Sequence, residues 1–346
     1  MIQTNIHTPL FVIRERGKFG FMDDVGDIVI EPQYFEVEDF QGGFARVKFN
    51  DRQVHIDGLG RLLLKYVFNE VGQFREGMSR VRGVNLWGFV DTRGNFVIDP
   101  QFESVGDFSG QMAPAGIHGK VGYITPQAEF AIPPIFEEAH NFAFGLAAVR
   151  HNDRYGYINS DGRVVAAPEF DYAGIFQEDV AVVVQNDLMG LLTADGKLLI
   201  EPQYQWNTDD PLGVFCDDMA LIMQDDLYGF MHRSGEVVVH PTYGFAGSYS
   251  EGLAPVLTEN GLYTYIDRNG KPKFAPSYEV AGNFSHGIAP VRMNGRWGYI
   301  NHYGGIIIPP VFEEATPFKN GLARVVRDGF WAYVTTDAKV VWHEQE

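Results

Sequence analysis

The sequence predicts an all-β repeat array of about ten three-stranded antiparallel meanders. Three observations carry that prediction. A Trp-Gly-type dipeptide returns at a nearly fixed spacing, glycine and proline return at fixed offsets from it, and the apolar residues alternate with period two. No window sustains a 3.6-residue apolar period, so no long helix is expected.

The register is set by Gly20, Val54, Gly88, Gly122, Gly156, Gly190, Gly229, Thr264, Gly298 and Ala332. Successive steps are 34, 34, 34, 34, 34, 39, 35, 34 and 34 residues. A single period held over most of the chain marks stacked units, each too small to bury its apolar face alone. The array is expected to run from residue 11 to residue 342 as one continuous body, with short tails at 1–10 and 343–346.

The repeat at 296–325, "RWGYINHYGGIIIPPVFEEATPFKNGLARV", shows each element in turn. "WGYI" places two aromatics on one face of a strand. Its glycine omits a side chain where another backbone or ring comes close. Six residues beyond the aligned position comes a turn glycine, such as Gly94, Gly162 or Gly304, supplying positive φ. A β-branched run follows as the second strand, and the proline after it (Pro100, Pro168, Pro310) is expected to end that strand for want of an N–H. The segment after the proline is expected to link one meander to the next. It leads to a third strand opened by a Gly-apolar-Ala pattern, as at Gly321-Leu322-Ala323. Tight turns such as Asn50-Asp51, Asn152-Asp153, Asp225-Asp226 and Asp328-Gly329 then return the chain to the next aromatic.

Three strands alone are marginal, so stability is expected from in-phase aromatics buried between units. Ten three-stranded units match a typical propeller poorly. An open β-solenoid or superhelix is therefore expected, with a closed propeller-like toroid as the alternative.

These residues resemble the bacterial WG-repeat family: Trp-Gly-Tyr-Ile, a glycine turn, an aliphatic run, Pro-x-Phe, then Phe-x-x-Gly-Leu-Ala. The resemblance covers about Phe11 to Trp342. It implies a β-rich repeat protein and carries no shared catalytic motif. Repeat two departs most, with "QVHI" for the Trp-Gly strand and Val67 in place of the proline.

Composition narrows the function classes. The 346 residues are 45% hydrophobic, ample for a large core. No run approaches a membrane span, and "MIQTNIHTPLFVIRER" lacks the basic-then-apolar layout of a signal peptide. Cys216 is the only cysteine, so no intrachain disulfide forms, in keeping with a reducing, cytoplasmic setting. A net charge of −18 disfavours nucleic acid and anionic membrane and suits a basic protein partner. The ten histidines fall in different phases and build no metal-ligand set. No nucleotide loop or nucleophile elbow is present. No catalytic residue, metal or cofactor is expected.

Function is expected where the repeat breaks. The five extra residues of the sixth unit fall between Pro202 and Phe215, in "PQYQWNTDDPLGVF". From Glu201 to Leu262 there are ten acidic residues and one base, Arg233. Trp206, Asp209, Asp210, Asp217 and Asp218 are the candidate binding residues, an acidic surface with an aromatic anchor. Acids also recur three residues after the proline (Glu103, Glu137, Asp171, Glu279, Glu313), and hydrogen bonds to turn backbone are the expected role. The expectation is a non-enzymatic scaffold or adaptor for a basic protein. An immunity or regulatory protein capping a basic toxin or nuclease is a special case. The alternative is a glycan-binding repeat using exposed aromatics. The two separate on whether the repeated aromatics are buried.

Overall fold

The computed structural model describes residues 9–41, 43–49, 52–62, 68–206, 213–275 and 277–345. The expected turn at Asn50-Asp51 and the irregular Val67 lie outside them. Among the described residues there is no helix, and the strands form ten small antiparallel sheets, one per repeat. By contacts the chain divides into two compact units. One consists chiefly of residues 27–185 and the other chiefly of 198–346, with residues 24–26 belonging to the second.

Seven of these sheets have four strands rather than the three expected. In the fourth repeat they are Ser104–Val105, Ala113–Ile117, Lys120–Ile124 and Phe130–Phe136. The added strand lies in the segment read as a linker: Ser104 pairs with Gly116 and Val105 with Ala115. Two residues are too few to leave an alternating pattern in the sequence.

The proline does not end the second strand. Pro100, Pro134, Pro168 and Pro310 lie inside seven-residue edge strands, at a shift in register. A bulge on an edge strand is where a residue without an N–H is tolerated. The bulge also explains the glycine of the Trp-Gly pair. A Cβ on Gly88 would lie 2.4 Å from the Ile98 carbonyl oxygen and 2.7 Å from the Pro100 nitrogen. Gly156 meets the same backbone at 2.5 and 2.7 Å, and Gly298 at 2.6 and 2.8 Å.

Where the aligned residue is not glycine, the seven-residue bulged strand is missing among the described residues. The second and eighth sheets have three strands, and the tenth ends in the four-residue strand Val340–His343. In the eighth, the Thr264 hydroxyl instead donates to the Phe274 carbonyl at 2.6 Å.

The aromatics behave as expected and form the core between neighbouring repeats. Tyr123 packs on Phe142 at 4.6 Å, Tyr157 on Phe176 at 4.9 Å, and Tyr299 on Phe318 at 5.0 Å between ring centroids. All six are buried. Each tyrosine hydroxyl donates across the joint to the backbone 17 residues on: Tyr123 to His140, Tyr157 to Gly174, Tyr299 to Thr316, at 2.7 to 2.9 Å. Serines add a second link, with Ser109 donating to the Phe142 carbonyl and Ser250 to that of Phe284.

Neighbouring repeats also meet through the turn glycine. Gly162 lies over Ile132, Gly235 over Ile200 and Gly304 over Phe274, each touching the edge strand or edge segment of the preceding repeat. Gly26 of the first repeat makes this contact with Val341 of the last, where a Cβ would lie 2.1 Å from the carbonyl oxygen. Both residues belong to the second compact unit. The solenoid expectation is corrected to its propeller-like alternative, and the four-stranded sheets fit that class.

Candidate binding surface

The structure describes three of the five sequence-predicted site residues. Asp209 and Asp210 lie outside the described residues. Trp206 follows the edge strand Leu198–Gln205 and is half-buried. Asp217 and Asp218 form the two-residue turn between Phe215–Cys216 and Met219–Gln224, with φ of 52° and 63°.

That turn is a variant of the Glu-Gly found in two other repeats, at Glu76-Gly77 and Glu251-Gly252. Its acid has the same work in each. Asp217 Oδ2 accepts from the Gly252 N–H at 2.6 Å, Glu76 accepts from Gly110 and Gln111, and Glu251 accepts from Gly287. Asp217 thus ties the seventh repeat to the eighth. Its side chain is 28% exposed and has Arg268 at 3.5 Å. Asp218 is 59% exposed and accepts from Arg233 Nε at 3.3 Å. Arg233, the one base of the acidic window, also lies over the Phe215 ring.

The acids after the proline are structural, as expected. Glu103 accepts from Gly119 N–H at 2.9 Å, Glu137 from Asn152 and Asp153, and Glu313 from Gly329. Four of them also meet a base. Lys120 lies 3.7 Å from Glu137, Arg154 pairs with Asp171, Arg292 lies 3.7 Å from Glu279, and Arg296 lies 3.1 Å from Glu313. The rims of repeats four, five and nine are thereby neutralised internally.

Repeats six to eight depart from this arrangement. The position of the bases Lys120, Arg154 and Arg296, just before the aligned aromatic, is held by Leu188, Leu227 and Leu262. Leu227 is 36% exposed. Beside it, Asp225 and Asp226 occupy the hairpin turn, both exposed, at φ of 51° and 60°. The Asp226 N–H is held by Gln205 Oε1 at 3.0 Å. Neither carboxylate meets a cation among the described residues.

An aromatic ladder runs alongside. Phe245, 43% exposed, packs 6.0 Å from Tyr228 and 6.0 Å from Tyr263, and Glu259 stands exposed in the next turn. The rings meet at 57° and 66°, so they offer edges and small apolar facets rather than one flat platform. Residues 225–228, 245 and 259–263 therefore form an apolar strip with an acidic border. Sequence reasoning had assigned Asp225 and Asp226 to the turn and missed the strip. The signal was available: at one phase, three consecutive repeats exchange a base for leucine.

A cleft of about 310 Å³ between the fourth and fifth repeats is lined by Ser104, Pro114, Glu137, Glu138, His140 and Asn141. Its carboxylates are engaged, since Arg150 lies 2.8 Å from Glu138 and Glu137 caps the turn. Burial, reinforced by the bond to Glu138, pushes the Tyr155 hydroxyl up to about 12, and burial holds the His140 imidazole below its usual value. Among the described residues no group of three or more His, Cys, Asp or Glu is placed to hold a metal ion.

The fold and surface define a propeller-like β-repeat protein whose repeats differ mainly at their rims. The chain belongs to the WG containing repeat family. The family pattern matches residues 19–52, 56–84, 87–120, 122–155, 155–188, 228–263, 263–297 and 297–331, which leaves 189–227 unmatched. No curated protein matches the sequence. Among solved structures, the chain is similar to a eukaryotic initiation factor, at 11% identity over 87% of this chain and 95% of that one, with a TM-score of 0.54. That likeness is one of fold alone. The computationally designed Ika8 protein (10% identity, 95% and 99% covered, TM-score 0.43) and BamB from Moraxella catarrhalis (10%, 78% and 94%, 0.37) match more loosely.

Proposed function

We propose that the protein is a non-enzymatic interaction scaffold that docks a basic protein segment on the rim of repeats seven and eight. The observation that carries this reading is the pairing of uncompensated Asp225 and Asp226 with the apolar strip of Leu227, Tyr228, Phe245 and Tyr263. Unpaired acids at a rim steer and orient a cationic partner, while partly exposed aromatics supply the desolvated centre. The partner is a segment bearing lysine or arginine beside apolar side chains. A cytoplasmic regulatory or immunity role, capping a basic protein, fits the same chemistry. The net charge of −18 supports a protein partner over nucleic acid or an anionic membrane. Burial of the core tyrosines between repeats removes them as sugar platforms, which takes support from the glycan alternative.

Fluorescence anisotropy with a synthetic peptide of alternating lysine and leucine tests the proposal. Binding should weaken with salt and fall at least tenfold in D225N/D226N and in F245A, with unfolding curves unchanged for the double Asn variant. Equal affinity for a lysine–serine peptide, or unaltered binding by both variants, would sink it.

A further inference from the structure

Repeat two places a histidine where its neighbours place the joint-spanning aromatic. His55 follows the aligned Val54 as Tyr123 follows Gly122. Its ring packs on Phe74, 19 residues on, at 4.9 Å, the same spacing and contact as Tyr123 on Phe142. By that register it is aimed at the backbone of Gly72, 17 residues on, where a tyrosine would donate.

The imidazole does not complete the link. His55 is fully buried, and neither ring nitrogen has a hydrogen-bond partner. The Gly72 carbonyl favours the protonated ring, but it already accepts from the Ser79 hydroxyl at 2.9 Å and is outweighed by burial. The charged surroundings come from three elements. Arg46 stands directly opposite His55 on strand Phe44–Phe49. Glu38, just past Glu36–Val37, accepts from Arg46 Nε at 2.9 Å and from Gln73 Nε2 at 2.5 Å. On the third repeat, Arg80 lies against Gly72 and 3.2 Å from Asp107.

We propose that the joint between the second and third repeats is an acid-sensitive latch, closed while His55 is neutral and opened when His55 takes a proton. Protonation adds a second buried N–H, for which the Gly72 carbonyl compensates only in part, and sets a cation opposite Arg46. The carboxylate that could compensate, Glu38, is already held by Arg46 and Gln73. Burial first, and Arg46 second, hold the His55 imidazole down to about 4. The folded state therefore resists a proton that the unfolded chain accepts near pH 6.5, so the joint is fully stable above that value and weakens as pH falls toward 4.

The test compares the full-length chain with H55F between pH 7.5 and 4. Phenylalanine already holds this phase at Phe21, Phe89 and Phe230, with ring partners at 4.7 to 4.8 Å, so the replacement fits. Amide exchange over residues 68–82 reads the third-repeat side of the joint, where His55 packs on Phe74 and the Gly72 N–H donates to the Arg80 carbonyl at 2.8 Å. From pH 6.5 to 4, after correction for intrinsic exchange, opening should rise about a hundredfold more in the native protein than in H55F. Parallel curves for the two proteins, or a histidine NMR resonance showing His55 titrating near pH 6.5 in the folded chain, would overturn the latch. Should H55F fold poorly, H55Y serves as the second variant under the same criteria.

Discussion

At the scale of single residues, the repeated letters are explained by close contacts. The aligned glycine is the clearest case, because the bulged strand brings its backbone against it. Gly156→Ala would place its Cβ 2.5 Å from the Ala166 oxygen and should cost about 3 kcal/mol in urea unfolding. Gly145→Ala meets nothing within 4 Å and bears only the strain of φ +80°, so about 1 kcal/mol is expected. Equal losses would refute the bulge explanation. The core tyrosines give a second test. Tyr157→Phe keeps the ring contact that Phe89 makes naturally but leaves the Gly174 carbonyl without its buried donor. A loss of about 1–2 kcal/mol is expected. Burial raises the hydroxyls of Tyr123, Tyr157, Tyr265 and Tyr299 above their ordinary value. The unfolded chain releases these protons near pH 10 while the folded chain keeps them, so stability is intact below pH 10 and falls above it. Y157F should flatten part of that alkaline loss in a denaturation series; an unchanged slope would count against a buried, neutral Tyr157.

At the scale of the element, paired-aspartate turns serve two purposes, and the seventh repeat shows both. Its Asp217-Asp218 turn ties to the next repeat, whereas its Asp225-Asp226 turn ties to nothing cationic among the described residues. Asp217→Ala should therefore destabilise the joint by about 1–2 kcal/mol, because the Gly252 N–H loses its acceptor. D225N/D226N should leave thermal unfolding within about 0.5 kcal/mol of the native protein. Differential scanning calorimetry on the two variants separates joint from rim. Much of the hairpin pattern was legible in sequence, because the turn pairs and strand periods are local. The short fourth strand and the bulge were not: Val105 reveals its role only through Ala115, and Pro100 only through the Gly88 backbone it covers. The rim strip was half legible. Leu227 in a lysine phase could be read, but its meeting with Phe245 could not.

At the scale of the whole molecule, the contact of Gly26 with Val341 joins residues far apart in the sequence. Gly26→Ala would meet the Val341 oxygen at 2.1 Å, and Gly196→Ala the Val165 oxygen at 2.2 Å, both at positive φ. The two variants should lose comparable stability in chemical denaturation; a neutral Gly26→Ala beside a damaging Gly196→Ala would mean that residue 26 does not pack on residue 341. The sequence by itself determined the number of repeats, their phase, the strand and turn chemistry, and the aromatics that bury between neighbours. These are short-range facts, repeated often enough to read from spacing and residue type alone. Tertiary structure decided three further things: that residue 26 meets residue 341, that the linker becomes a strand, and which acids are spent on turns. Each depends on small rotations or contacts between units, which no single repeat encodes and which become visible only when the repeats are packed together.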